Sequence, residues 1–116
     1  MIGLSAKHHY FLYTKPTDMR KGFDGLSGIV LEHMNRSPLD GSVYIFINRR
    51  KNKMKMLTYE PGGFMLYYKR LEQGTFELPL GDDHSQEVSL SWESLMLIIS
   101  GISLQKIVRK KRYKRA

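Results

Sequence analysis

Residues 42–70 place the tightest constraint on what this chain can become. Ser42-Val43-Tyr44-Ile45-Phe46-Ile47-Asn48 is a nearly unbroken run of β-branched and aromatic side chains, too short for a core helix and well suited to a pleated surface. Strand-like segments follow at 53–60 and 64–69, set off by the basic stretch Arg49-Arg50-Lys51-Asn52 and by Pro61-Gly62-Gly63. Connections this short force neighbouring strands to run antiparallel, so a three-stranded meander is expected at the centre of the chain. At 116 residues the chain has room for one core and no second domain.

The flanks change period. Residues 7–13 are rich in aromatics and read as a first strand, ended by Pro16. From Thr17 onward Met19, Phe23, Leu26, Val30 and His33 or Met34 recur at steps of four and three, which predicts a helix with Phe23 and Leu26 on its apolar face and Thr17 or Asp18 as its cap. Beyond the meander, Phe76-Glu77-Leu78 reads as a short edge strand. Ser91 then precedes Trp92, Leu95, Met96, Ile98, Ile99 and Ile102, a second apolar helix with Ser91 as cap and Gly101 near its end. The order β-α-β-β-β-α predicts an α+β domain over 1–105, in which two helices cover one face of an antiparallel meander of three to five strands. Residues 106–116 form a basic C-terminal tail.

Charge is unevenly spread. Of the 19 basic residues, seven lie in that tail (Lys106, Arg109, Lys110, Lys111, Arg112, Lys114, Arg115), leaving 12 basic against 11 acidic residues in the body. A second cluster, Arg49, Arg50, Lys51, Lys53 and Lys55, falls within seven residues, and Lys69-Arg70 follows Tyr67-Tyr68. Clustered cations favour polyanions, because each phosphate neutralised releases condensed counterions. These three groups are the expected DNA contacts; the plainer reading of the tail is a solvated segment that aids solubility. Tyr44, Tyr59, Tyr67 and Tyr68 become stacking candidates wherever the sheet leaves them facing solvent.

Catalytic chemistry finds little support. The chain has no cysteine, and His8 and His9 are adjacent on an expected strand, where they point to opposite faces. Asp18 and Asp24, six apart, do not share a helical face; their natural partners are Lys21 and Arg20. No metal spacing stands out, and no catalytic residue, metal or cofactor is expected. Gly22, Gly25 and Gly28 recur every three residues in the expected helix, each costing about 1 kcal/mol against alanine. Such a ridge serves either a packed neighbour or a docking partner beside Arg20 and Lys21. No apolar run approaches a membrane span, and the start of the chain shows no signal-peptide pattern, so a cytoplasmic location is expected.

Three blocks stand in order: Thr17-Asp18-Met19-Arg20-Lys21-Gly22-Phe23-Asp24-Gly25-Leu26; residues 41–57; and Gly63-Phe64 through Tyr68-Lys69-Arg70-Leu71-Glu72-Gln73-Gly74-Thr75-Phe76. Over roughly residues 8–105 the chain resembles the small accessory protein, often called TnpB or Orf2, of the insertion-sequence 66 class of bacterial transposable elements. That resemblance implies a role in DNA transposition beside a separately encoded transposase that carries the catalytic carboxylates. It supplies no active-site residues to carry over. Glu60 stands where the family usually has aspartate, and Tyr67 where it usually has tryptophan. The expectation is a non-enzymatic accessory protein that binds DNA (element ends or duplex in general), the transposase, or both. A protein–protein adaptor that never touches nucleic acid and a small nuclease are the alternatives.

Overall fold

The computed structural model describes residues 4–79 and 85–100. Its elements are β1 (Tyr10–Tyr13), α1 (Phe23–His33), β2 (Val43–Ile47), β3 (Lys53–Glu60), β4 (Gly63–Arg70), β5 (Glu87–Leu90) and α2 (Trp92–Ile99). The central strands β2, β3 and β4 form the expected antiparallel meander, with Tyr44 opposite Leu57 and Lys55 opposite Tyr68. Pro61-Gly62 makes the second turn, with Gly62 at a φ of +98° that a side chain would resist.

The sheet as a whole is mixed. Its strand order is β4-β3-β2-β1-β5, with β1 parallel to β2 and antiparallel to β5. A parallel neighbour needs a crossover, and α1 supplies it between β1 and β2. This corrects the expectation of a purely antiparallel sheet with both helices on one face. Leu26, Ile29, Val30 and Met34 pack with Tyr13, Tyr44, Phe46 and Leu57 on one side. Leu95 and Ile98 pack with Tyr10, Leu12, Val43, Ile45, Ile47, Met54 and Met56 on the other. Every residue of β2 is buried because a helix covers each of its faces, which is why it reads as a continuous apolar run.

Two element boundaries also differ from expectation. The edge strands are β4 and β5, while Phe76 is a buried side chain in the connection between them, its backbone N–H donating to the Lys51 carbonyl at 2.6 Å. Helix α1 begins at Phe23, its cap Gly22 lying five residues after Thr17 and four after Asp18, the expected caps, and making no side-chain hydrogen bond. Phe23 is consequently 46% exposed, although Leu26 and Val30 are fully buried as expected. Ser91 does cap α2, accepting from the Ser94 N–H.

Candidate functional site

The late start of α1 has a local and a distant cause. Locally, the Asp18 carboxylate accepts the Arg20 backbone N–H at 2.9 Å, a side-chain turn that competes with helix. The same carboxylate takes a two-pronged pair with the Arg20 guanidinium at 2.7 to 3.1 Å. These hydrogen bonds, first the one from the guanidinium, hold the Asp18 carboxyl down to about 2. The Asp18–Lys21 and Arg20–Asp24 pairs expected on a helix surface are replaced by this contact. Distantly, Lys55 Nζ donates to the carbonyls of Met19 and Lys21, at 2.6 and 2.7 Å. Those oxygens are the acceptors a longer helix would have used for Phe23 and Gly25.

The Lys55 ammonium is thus turned inward, away from the surface where the expected phosphate contact would form. Lys55 is only 7% exposed, and its ammonium lies 4.7 Å from the centre of the Tyr68 ring. A lysine between Met54 and Met56 in a strand points to the opposite face from both, here toward the α1 side of the sheet. There it ties the loop of residues 17–22 to β3.

The β2–β3 turn is built to present two arginines. Lys51 N–H donates to the Asn48 carbonyl at 3.0 Å, closing a four-residue turn with Arg49 and Arg50 at its centre. Lys51 itself adopts a positive φ of 59°. The Asn48 side chain accepts from the N–H groups of Asn52 and Lys53 and donates to the Asn52 side chain. Leu71 N–H bonds the Asn52 carbonyl, so the connection after β4 braces the same turn. The charge pattern alone passes over both asparagines, although an Asn at the first position of a tight turn is itself a turn signal.

Loop 17–20 and this turn face each other across an open cleft of about 690 Å³. Arg20, Arg49, Arg50, Lys53, Asp18 and Tyr68 are among its lining residues. Two clusters that the sequence separates by some thirty residues thus share one site, four cations to one carboxylate. Among the described residues Arg49, Arg50 and Lys53 make no ion pair, while the Arg20 side chain is 92% exposed in its pair with Asp18.

The remaining expected contacts disperse. Lys69 Nζ donates to the Ile99 carbonyl at the C-terminal end of α2, and Arg70 pairs with Glu72. Tyr67 lies against the α2-side core, Tyr44 is fully buried with its hydroxyl donating to Asp40, and Tyr68 is 51% exposed at the cleft. Gly22 caps α1 instead of lying inside it. Gly25 and Gly28 line a second groove of about 300 Å³, beside Asp24, Glu32 and His33. Among the described residues a side chain at Gly28 would meet nothing within 4 Å, and the nearest atoms to one at Gly25 belong to the Lys21 side chain, so no described strand or helix packs on this ridge. Lys106, Arg109, Lys110, Lys111, Arg112, Lys114 and Arg115 lie outside the described residues. Among the described residues no three His, Asp or Glu side chains are grouped to hold a metal ion, and no helix is long and apolar enough to cross a membrane.

Comparison with known proteins finds relatives that cover most of the chain. An uncharacterised Sinorhizobium fredii protein, y4jC, is 28% identical over 110 residues, covering 95% of this chain and 92% of the relative. A second from the same organism, y4hO, is 33% identical over 92 residues, covering 79% and 78%. No solved structure matches. The family model for IS66 Orf2-like proteins matches residues 8–109, and the chain belongs to that family.

Proposed function

We propose that this protein is a non-enzymatic accessory factor of DNA transposition that holds DNA through the cleft between loop 17–20 and the β2–β3 turn. Membership of a transposition-associated family sets the process. The observation that carries the DNA reading is the convergence of Arg20, Arg49, Arg50 and Lys53 on one open cleft. Arginines on a braced turn meet phosphate oxygens in a planar, two-pronged geometry with little ordering cost. The tail cations of residues 106–116 add a second, sequence-independent grip on the backbone.

Fluorescence anisotropy with a labelled element-end duplex, across a salt series, tests this reading. Replacing Arg49 and Arg50 together by alanine is expected to weaken binding and to flatten the slope of log K against log salt by about two units, since each phosphate contact contributes about 0.9. An unchanged slope and affinity, with this duplex and with its single strand alike, would overturn cleft binding. The open groove beside Gly25 and Gly28, with Leu31 57% exposed on the same helix, favours a protein contact as a second role. Capture of the separately encoded transposase, weakened by Gly28→Arg but not by the Arg49/Arg50 variant, checks that role.

A further inference from the structure

The cleft is lined by one aromatic ring as well as by cations, and that ring is unusually placed. Tyr68 sits on the α1 side of β4, directly across from Lys55 in β3. The buried Lys55 ammonium approaches the ring from within the protein, while half the side chain stays exposed at the cleft. A cation over one face draws on the ring's negative quadrupole. The solvent-facing side is therefore a poorer seat for a second cation, such as an arginine, and a good one for an electron-rich π-system. Tyr68 is also held in place, since its strand is paired along its whole length with β3 and its ring is tied to the Lys55 anchor.

We propose that the cleft takes an unpaired nucleotide, its base stacked on Tyr68 and its phosphates on Arg49, Arg50 and Arg20. The inference rests on the DNA-binding reading and names the form of DNA that the site selects. Bases inside a duplex keep their faces in the stack and cannot reach a protein ring without being extruded. A single strand offers those faces freely, and stacking tolerates any base. The volume of about 690 Å³ falls within the range of small-ligand sites, which suits one or two nucleotides lying in the cleft better than the width of a duplex.

The test compares a labelled 12-nucleotide single strand with the duplex of the same sequence by fluorescence anisotropy on the full chain. Tyr68→Ala is expected to weaken single-strand binding roughly ten-fold while leaving duplex affinity within about two-fold, and Tyr68→Phe to restore it. Because Tyr68 also covers Lys55, a second variant guards against loss of the fold. Tyr68→Trp, made in a Trp92→Phe background, is expected to show tryptophan quenching when the single strand binds. Equal single-strand affinity in wild type and Tyr68→Ala, or binding without quenching, would overturn the stacking site. If Arg49/Arg50 replacement still weakened binding in that case, the DNA reading would stand. Failure of both DNA forms to bind, or indifference of both to the Arg49/Arg50 replacement, would sink the cleft reading and the stacking site together.

Discussion

Lys55 shows how one side chain can look like a ligand contact and act as an anchor. A buried ammonium held by two carbonyls has no water to fall back on, and hydrogen bonds to a charged group are worth about 1.5–3 kcal/mol each. Lys55→Met keeps the stem but removes both bonds, and is expected to cost about 3 kcal/mol. Chemical denaturation should show this as a lower midpoint, and hydrogen exchange should show faster opening of residues 17–22. Arg49→Ala, on an exposed turn, should leave the midpoint unchanged. The Asp18 carboxyl titrates near 2 in the folded chain, against an ordinary value of 3.8 once the chain unfolds and the Arg20 contact is gone. Its pair with Arg20 is thus fully present above about pH 4 and is lost as pH falls through 2, which NMR titration of the Asp18 carboxyl would follow. Above pH 4, loop 17–20 should keep one arrangement.

At the scale of elements, the start of α1 decides what its side chains are worth. Leu26 is fully buried against β2 and β3, so Leu26→Ala should cost about 2–5 kcal/mol. Phe23, half-exposed in the first turn with its ring centre 6.5 Å from that of Phe64, should cost about 1 kcal/mol on the same change. Thermal unfolding of the two variants side by side checks the ranking, and a larger loss from Phe23→Ala would place the helix in the wrong rotation. Gly28 lies inside α1 with open space where a Cβ would stand. Gly28→Ala is accordingly expected to stabilise the protein by about 0.5–1 kcal/mol, read from the same melting curves. A glycine at this position leaves the helix surface open to the close approach that the proposed protein contact needs.

Over the whole molecule, two basic regions are expected to do different work. Removing residues 106–116 should lower affinity for all duplexes alike and flatten the salt slope by several units, because seven cations lie there. It should leave the unfolding transition of the body in place, since the buried residues described for the two clusters lie between Tyr10 and Ile98. Replacing Arg49, Arg50 and Lys51 should flatten the slope less, and any dependence of that loss on DNA sequence would mark base contacts in place of phosphate contacts. Anisotropy across a salt series, on truncated and turn variants with two unrelated duplexes, separates the two regions. A slope unchanged by tail removal would assign the grip to the cleft alone.

The meander from 43 to 70, the turn at Pro61-Gly62, the Ser91 cap and the basic turn at 49–50 were all legible along the chain, because each depends on neighbours a few residues apart. The apolar period also marked Leu26 and Val30 correctly, since helix and core agree there. Tertiary structure alone decided the rest. Helix α1 starts at Phe23 because a lysine 36 residues from Met19 occupies its first carbonyls, a competition that no local period records. Strand β1 lies parallel to β2 because α1 carries the chain across one face as a βαβ crossover, while β5 returns beside β1 and leads α2 onto the other face. Tyr67 and Tyr68 carry the same residue type at adjacent positions. Only the pleat of β4, packed between a helix-covered face and the cleft, sends one ring to the core and leaves the other beside Arg49 and Arg50.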